Sequence, residues 1–144
     1  MGFGIVYGRA SGGDDGDEGV AVYKVIWLAK FRQDKPREEV LAWWRGHHAE
    51  LARKTPGMLR YVQSHWTQAL DPVTQLPTGE PPFYDGHAEH WFADRESYEL
   101  AMASPEWAAT QVDGPNGFER SLVGGELEET VISWDPMDDG RDSI

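Results

Sequence analysis

The chain contains no cysteine among its 144 residues, which excludes disulfide bonds, thiolate metal sites, iron–sulfur clusters and a cysteine nucleophile. It also contains no run of 18 apolar residues, so no segment is suited to crossing a membrane. Positive charge is scarce, because 13 Lys and Arg residues face 25 Asp and Glu residues. Binding to a phosphate backbone needs clustered Lys and Arg, so the composition argues against a nucleic-acid partner.

Signatures of phosphate binding, metal binding and serine catalysis are missing as well. The glycine pairs at 12–13 and 124–125 form no phosphate-binding fingerprint, and no serine lies in a nucleophile-elbow context. His87 and His90 are three residues apart in a segment of strand composition, so their rings point to opposite faces and cannot hold one ion. His47 and His48 are adjacent on a predicted helix and diverge. We therefore predict no metal site.

The acidic charge is concentrated near the two ends of the sequence. Residues 1–19 carry four acids and one base, and residues 126–144 carry seven acids and one base. With the polar, glycine-rich composition of the ends, this predicts disordered tails over 1–19 and 135–144 and a folded unit over 20–134. The N-terminus has no basic start and no long apolar run, so we expect a cytoplasmic protein.

Composition and turn residues predict four strands and two main helices. The strand segments are rich in aromatic and β-branched residues and cover 20–31, 59–68, 84–92 and a last stretch within 127–134. The first helix covers 34–54, with Asp34 as the capping side chain and Pro36 in the first turn. The second covers 94–102 and is capped by Asp94, and a further helical turn starts at Ser104. Residues 71–82 contain four prolines and are predicted to form a loop.

The element order β-α-β-β-α-β is that of the ferredoxin-like fold, an α+β architecture. We expect a four-stranded antiparallel sheet with both helices on one face. The first strand is apolar on both sides, with Tyr23, Val25 and Trp27 on one and Ile26 and Leu28 on the other. A monomer would expose the second side, so we expect a two-fold homodimer with the sheets packed face to face.

The first predicted helix carries two adjacent histidines beside two tryptophans. At about 100° per residue, His47 falls in the apolar stripe with Val40, Trp44 and Leu51, and His48 lies at its flank. Periodicity therefore favours His47 for burial, although both imidazoles can reach the sheet. An imidazole among tryptophans can titrate near neutrality and transfer protons, and the alternative is a histidine with a purely structural role.

The third predicted strand carries a row of ionisable side chains. Alternation places Asp85, His87, Glu89 and Trp91 on one side, and Tyr84, Gly86, Ala88, His90 and Phe92 on the other. Burying a row of ionisable groups is costly unless they form ion pairs or have a role in catalysis or binding. This side of the strand is therefore a candidate catalytic surface. The alternative is a partly exposed strand with solvated charges. The small residues of the opposite side leave room for a helix or a ligand.

Two longer motifs contain these residues. The helix motif is Trp44-x-x-x-His48-Ala49, and the strand motif is Tyr84-Asp85-Gly86-x-Ala88-Glu89-x-Trp91-Phe92. Ser104-Pro105-Glu106-Trp107 and Asp113-x-x-x-x-Phe118 follow them, and Tyr61 occupies a position where an aromatic is typical. This combination resembles the EthD family of the dimeric α+β barrel superfamily. The resemblance covers about residues 22–133, and the acidic tails and the proline-rich loop depart from it.

The resemblance implies a homodimer of ferredoxin-like subunits, each with a pocket between helix and sheet. It also implies acid–base chemistry without a cofactor, since related families include polyketide cyclases, lactone isomerases, decarboxylases, dehydratases and cofactor-free oxygenases. The family motif selects His48, rather than His47, as the general acid or base. His47 would then be a second histidine or part of the pocket wall.

The predicted site residues form two groups. The candidates for chemistry are a general acid or base, three oxyanion donors and two acids that fix a histidine tautomer. In that order they are His48, then Tyr61, Tyr84 and His87, then Asp85 and Glu89. The candidates for ligand contact are Trp27, Trp44, His47, His65, Trp91 and Phe92. With seven tryptophans in the chain, aromatic side chains are expected to form both core and pocket wall.

The leading interpretation is a cofactor-independent lyase or isomerase, of cyclase or dehydratase type, acting on a hydrophobic aromatic or polyketide-like small molecule. Cyclisation, dehydration, decarboxylation and isomerisation share their first step, the removal of a proton from carbon next to a carbonyl. Two alternatives stay open. One is a non-catalytic binding or accessory protein with the same pocket, and the other is a cofactor-free or haem-dependent monooxygenase.

Overall fold

The computed structural model of the protein describes residues 22–119, 123–130 and 132–133. Within them lie four strands, β1 (Tyr23–Ala29), β2 (Met58–His65), β3 (Gly86–Phe92) and β4 (Val123–Leu127). The strands pair in the order β2-β3-β1-β4, and every neighbouring pair is antiparallel. This arrangement confirms the ferredoxin-like α+β sheet expected from the element order.

Three helices connect the strands of this part of the chain. The first, α1, is α-helical over Arg37–Trp43 and Ala49–Ala52, with a π-helical turn over Trp44–His48 between them. The others are α2 (Arg95–Met102) and α3 (Pro105–Asp113), and a 3₁₀ turn over Gly114–Asn116 follows α3. The single helical turn expected after Ser104 is therefore a helix of nine residues.

Side chains cap two of the three helices. Asp94 and Ser104 each accept a hydrogen bond from a backbone N–H in the first turn of α2 and α3, as their sequences predict. The prediction that Asp34 caps α1 was wrong. Pro36 is the N-cap residue of α1 and makes no side-chain cap bond, while the carboxylate of Asp34 forms an exposed ion pair with Arg32.

The last strand begins earlier than expected. The prediction placed it within 127–134, whereas β4 covers Val123–Leu127 and residues 128–130 are not in a strand. Packing explains the difference, because Gly124 pairs with Trp27 and a Cβ at Gly124 would lie 2.3 Å from the indole ring. A glycine is thus required where β4 passes that ring, although the following residues have the higher strand propensity. The predicted tails lie outside the described residues.

The helices cover one face of the sheet, here called the helix face. Its core joins sheet residues to α1 and to the segment after α3, and the buried members are Ala29, Phe31, Val40, Trp44, Ala88 and Phe118. Gly86 opens β3 at a point where a Cβ would lie 2.3 Å from the Ser64 carbonyl oxygen and 3.0 Å from the Trp44 ring. This glycine therefore sets the distance between β3, β2 and α1.

The other side of the sheet, here called the open face, is covered by none of the helices described. It carries the half-buried apolar side chains Ile26, Leu28 and Val62. It also carries an ionic cluster formed by Lys24, His87 and Glu89. No helix in the described part of the chain is long and apolar enough to cross a membrane.

Candidate functional site

A cavity of about 360 Å³ lies between the helix face, α1 and α3. Its walls are mainly aromatic and are formed by Trp27, Trp44, Tyr61, Trp107 and Phe118. The ionisable groups along it are His48, Tyr61, His90 and Glu119, and no lysine or arginine of the described ranges lines it. The volume is at the lower end for small-molecule sites, so the cavity suits a ligand of one or two rings. Because none of the described lining residues is a Lys or Arg, the cavity favours an uncharged ligand.

His48 is held at the wall of this cavity by Asp113, the last residue of α3. The distance from His48 Nδ1 to Asp113 Oδ2 is 3.0 Å, and only 7% of His48 is exposed. The rings of Trp43 and Phe118 pack against the imidazole, with centroid distances of 4.6 and 5.4 Å. Hydrogen bond and packing together fix the orientation of the imidazole.

Asp113 is an acceptor for three side chains. Trp43 Nε1–H donates to Oδ2 at 3.1 Å, and Asn116 Nδ2–H donates to Oδ1 at 2.9 Å. Burial alone would raise the pKa of Asp113, but the hydrogen bonds from His48 and Asn116 outweigh it and lower that pKa. Asp113 is therefore an anion that only accepts, so neutral His48 must present Nδ1–H to it and keep the lone pair on Nε2.

The protonation of His48 follows from two opposing effects. Burial lowers the pKa of His48 below its ordinary value, and the hydrogen bond and charge of Asp113 offset only part of that effect. At neutral pH the imidazole is thus the free base. A neutral imidazole with a fixed tautomer is the form needed to accept a proton from a ligand.

The choice between the two helix histidines is decided by the π-helical turn. The α-helical periodicity predicted that His47 is the buried histidine, and this was wrong. The His47 side chain is 65% exposed, while His48 is buried. In a π-helical turn each residue advances by less than the 100° of an α-helix. Because of this smaller rotation, His47, three residues after Trp44, points away from the sheet. His48, four residues after Trp44, stays on the buried side of the helix. His47 Nε2 lies 3.5 Å from Asp113 Oδ1, at the solvent side of the pair.

Tyr61 presents a phenol to the cavity from β2. Gln63 Nε2–H donates to the Tyr61 hydroxyl oxygen at 2.7 Å and to the Trp44 carbonyl oxygen at 2.9 Å. Because the hydroxyl oxygen is the acceptor in that bond, its own proton stays available to a ligand. Burial raises the pKa of Tyr61, and the hydrogen bond from Gln63 offsets part of that rise, so the group is a neutral donor.

His90 lines the same cavity, although the sequence prediction did not include it. Its ring lies flat against Tyr61, with 5.1 Å between centroids and 7° between planes, and edge-on to Trp107 at 5.8 Å. Alternation already placed His90 on the side of β3 with small residues and room for a ligand. His90 is the sole imidazole on that side of β3, and this position could have identified it as a site residue. The prediction instead selected the ionisable residues on the opposite side of the strand.

Asp113 was also missed as a site residue, although it begins one of the motifs that resemble EthD proteins. A carboxylate at the C-terminal end of a helix is disfavoured by the helix dipole. An acid there needs a compensating donor, and that placement was the available signal. Its partner His48 is 65 positions away, so the pairing itself could not be read from local sequence.

Two predicted residues lie just before β3 and outside the cavity. Asp85 is buried, where Oδ2 accepts from Phe31 N–H at 2.8 Å and Oδ1 lies 3.4 Å from Arg37 NH1. It thus ties the end of β1 to the start of α1. Tyr84 packs edge-on to Trp66 at a centroid distance of 6.5 Å.

The remaining residues of the charged row are on the open face. His87 Nδ1 accepts from Trp66 Nε1–H at 3.0 Å, and its Nε2 lies 3.5 Å from Glu89 Oε2. Lys24 Nζ is 3.7 Å from the same carboxylate oxygen and 4.6 Å from the centre of the Trp91 ring. The alternation was assigned correctly, but the charged side faces away from the cavity.

Of the predicted ligand-contacting residues, Trp27 and Trp44 line the cavity. His65 is beside it and bonds Gln63 Oε1 through Nε2 at 2.8 Å. Phe92 is fully buried against Tyr98 of α2, with 5.2 Å between ring centroids. The structure thus brings together His48, Tyr61, Trp27 and Trp44, with His47 and His65 at the edge of this group. It separates the other predicted residues from the group, namely Tyr84, Asp85, His87, Glu89, Trp91 and Phe92.

The motifs and the site geometry agree with one protein family. A model of the EthD domain matches residues 32–120, well over half of the chain. The chain belongs to the EthD family. Within this EthD domain lie His48, Tyr61, His90 and Asp113. No protein of curated function is similar enough in sequence to match.

Solved structures share the fold of this EthD protein. An EthD family protein from Bacillus halodurans is 24% identical, with a TM-score of 0.61 over 76% of this chain and 99% of that one. A dimeric protein of ferredoxin-like fold from Bacteroides fragilis is 18% identical, with a TM-score of 0.53 over 75% and 96%. A hydroxynitrile lyase from Passiflora edulis is 12% identical, with a TM-score of 0.50 over 76% and 95%. At these identities the likeness is one of fold.

Metal ligands are not clustered in the part of this EthD protein that the structure describes. There, no group of three or more His, Asp or Glu side chains is placed to hold an ion. His87 and His90 do lie on opposite faces of β3, as the alternation required.

Proposed function

We propose that this EthD protein is a cofactor-independent enzyme that performs acid–base chemistry on an uncharged aromatic or polyketide-like small molecule. The observation that supports it is the buried His48–Asp113 pair at the wall of an aromatic cavity. A histidine buried only for packing needs no anionic partner, and burying that carboxylate carries a cost of its own. The cost is reasonable where the histidine must act as a base.

In the proposed reaction, His48 Nε2 takes a proton from carbon next to a carbonyl. The electron pair of that C–H bond moves to the carbonyl oxygen, which becomes an enolate, and Tyr61 O–H donates a hydrogen bond to it. Asp113 stabilises the imidazolium through Nδ1–H, and the proton is returned in a later step. Cyclisation, dehydration, decarboxylation and isomerisation all begin in this way, and we propose a lyase or isomerase of this class.

The surroundings of the cavity support an uncharged substrate. Without Lys or Arg among the described lining residues, a carboxylate or phosphate ligand would lose its hydration and gain no counter-charge. Aromatic walls instead favour stacking and edge contacts with a planar ring system.

We also propose that the protein works as a homodimer through the open face. Ile26, Leu28 and Val62 would form the apolar part of the interface, and the cluster of Lys24 and Glu89 would fix its register. The fold relative from Bacteroides fragilis is described as dimeric, which supports a dimer for a protein of this fold.

The test uses 2-tetralone, a two-ring ketone with an acidic C–H, in D₂O. Proton NMR follows the exchange of the hydrogens next to the carbonyl for deuterium. We expect the protein to accelerate exchange over buffer, His48→Gln to abolish the acceleration, and Glu50→Gln, an exposed change on the same helix, to retain it. A folded His48→Gln variant that accelerates exchange equally would contradict the proposal. Binding of 2-tetralone without acceleration would favour the non-catalytic binding alternative.

A further inference from the structure

His90 is a buried imidazole in the floor of the cavity. Its exposed fraction is 4%, and two aromatic rings hold it in place, Tyr61 flat against one face and Trp107 edge-on. The antiparallel pairing of β2 with β3 sets Tyr61 directly opposite His90. The orientation of His90 is thus fixed by packing on two sides.

The ring nitrogens of His90 are hydrogen-bonded to none of the residues described. Its side chain packs against two aromatic rings and is affected electrostatically by His48. By contrast, His48 and His65 on the same face each have a hydrogen-bond partner. Buried polar groups are almost always hydrogen-bonded, and leaving one unsatisfied is costly. His90 lines the cavity, so a ligand bound there can supply the missing partner.

The charge state of His90 restricts what that ligand can be. Burial, together with the nearby His48, lowers the pKa of His90 to about 4. At neutral pH the ring therefore carries one N–H donor and no positive charge. The adjacent Tyr61 hydroxyl is also a neutral donor, since its oxygen already accepts from Gln63. Two neutral donors side by side match a carbonyl or phenol oxygen better than a carboxylate.

We propose that His90 is a specificity-determining residue, which binds the oxygen of an uncharged phenol or ketone through its imidazole N–H beside the Tyr61 hydroxyl. This inference rests on the proposed function in that it takes the same cavity as the ligand site. It adds the chemical class of the ligand, a one- or two-ring aromatic phenol or ketone. During proton removal by His48, the same two donors would stabilise the enolate oxygen.

The test measures binding of two matched probes, 2-naphthol and naphthalene, by protein NMR titration at pH 7. In the wild type we expect 2-naphthol to bind about five- to tenfold more tightly, the contribution of one or two neutral hydrogen bonds. His90→Phe keeps an aromatic ring against Tyr61 and Trp107 but removes both nitrogens, so the preference for 2-naphthol should fall to about two- to threefold, the contribution of the Tyr61 hydroxyl alone. His90→Asn keeps an N–H donor and should restore part of the difference. Naphthalene is the internal control, because it reports packing alone.

A second readout keeps the test independent of how well the variants fold. In wild-type protein labelled with ¹⁵N-histidine, the imidazole resonances of His90 should shift with 2-naphthol and much less with naphthalene. An unchanged affinity ratio in His90→Phe, or equal resonance shifts with the two probes, would overturn the assignment of His90 and leave the proposed function intact. If neither probe binds, the cavity is not an aromatic site, and the proposed function fails together with this inference.

Discussion

Replacing Asp113 by Asn tests the chemistry and the stability of the site with one nearly isosteric change. In the wild type, Asp113 Oδ2 accepts from both His48 and Trp43, and Oδ1 accepts from Asn116. An asparagine has a single acceptor oxygen. If that oxygen faces His48 and Trp43, the new NH₂ group meets the NH₂ group of Asn116, and the opposite orientation leaves His48 and Trp43 without their acceptor.

The magnitude follows from the bonds that are weakened. Hydrogen bonds to a charged acceptor contribute about 1.5–3 kcal/mol each, and the amide oxygen replaces part of that, so we expect a loss of about 2–4 kcal/mol. For a folded unit of this size, that loss corresponds to a fall in Tm of roughly 10 °C or more. In serine proteases the corresponding Asp→Asn change lowers kcat about 10⁴-fold, so we expect a loss on the order of 10²- to 10⁴-fold here.

The pH dependence separates a positioning role from a merely structural one. The charge and hydrogen bond of Asp113 raise the pKa of His48 against the effect of burial. Removing the charge must lower that pKa further, so the acid limb of the pH–rate profile should move to lower pH while the plateau rate falls.

The assay is 2-tetralone exchange between pH 4 and 8, with Tm measured by calorimetry on the same samples. Glu106→Gln removes an exposed carboxylate from the same helix and should leave both unchanged. A folded Asp113→Asn variant with full activity, or with an acid limb moved to higher pH, would refute this account of the pair.

Three further predictions concern stability and assembly. Unfolded His90 takes up a proton below about pH 6.5 but the native residue does so only near pH 4. Acidification through that window should therefore cost about 3 kcal/mol, and His90→Phe should remove this loss in urea titrations at pH 7 and 4.5. Ile26→Glu places a charge on the open face and should shift the protein to monomer in sedimentation velocity; an unchanged dimer would place the interface elsewhere. Gly86→Ala would set a Cβ 2.3 Å from the Ser64 carbonyl oxygen and should lower the free energy of unfolding by about 1–3 kcal/mol. Gly46→Ala, which has open space around it, should be neutral or stabilising in thermal melts.

Much of the fold was accessible from local sequence because its signals are local. Strand composition, the caps Asp94 and Ser104, and the proline-rich loop gave the element order and hence the sheet topology. β4 escaped this reasoning, since Gly124 is a poor strand former. It pairs with Trp27 in the sheet, and the Trp27 ring leaves room only for glycine at that position.

The candidate site was only half accessible for a similar reason. The helix motif selected His48, the resemblance to EthD proteins selected Tyr61, and the high aromatic content suggested Trp27 as part of a pocket wall. The row of charges on β3 was read correctly as one face, but alternation cannot tell which face the helices cover. His87 and Glu89 therefore fell on the open face, and His90 was left out.

The sequence by itself determined the order of the elements, the two faces of β3 and the presence of a histidine beside tryptophans on α1. These follow from periodicity and from residue preferences within a few positions. Only the tertiary structure decided that a π-helical turn directs His48 inward, that Asp113 meets it across 65 positions, and that His90 faces the cavity. Each of those results depends on packing between segments distant in the chain, which no local pattern encodes.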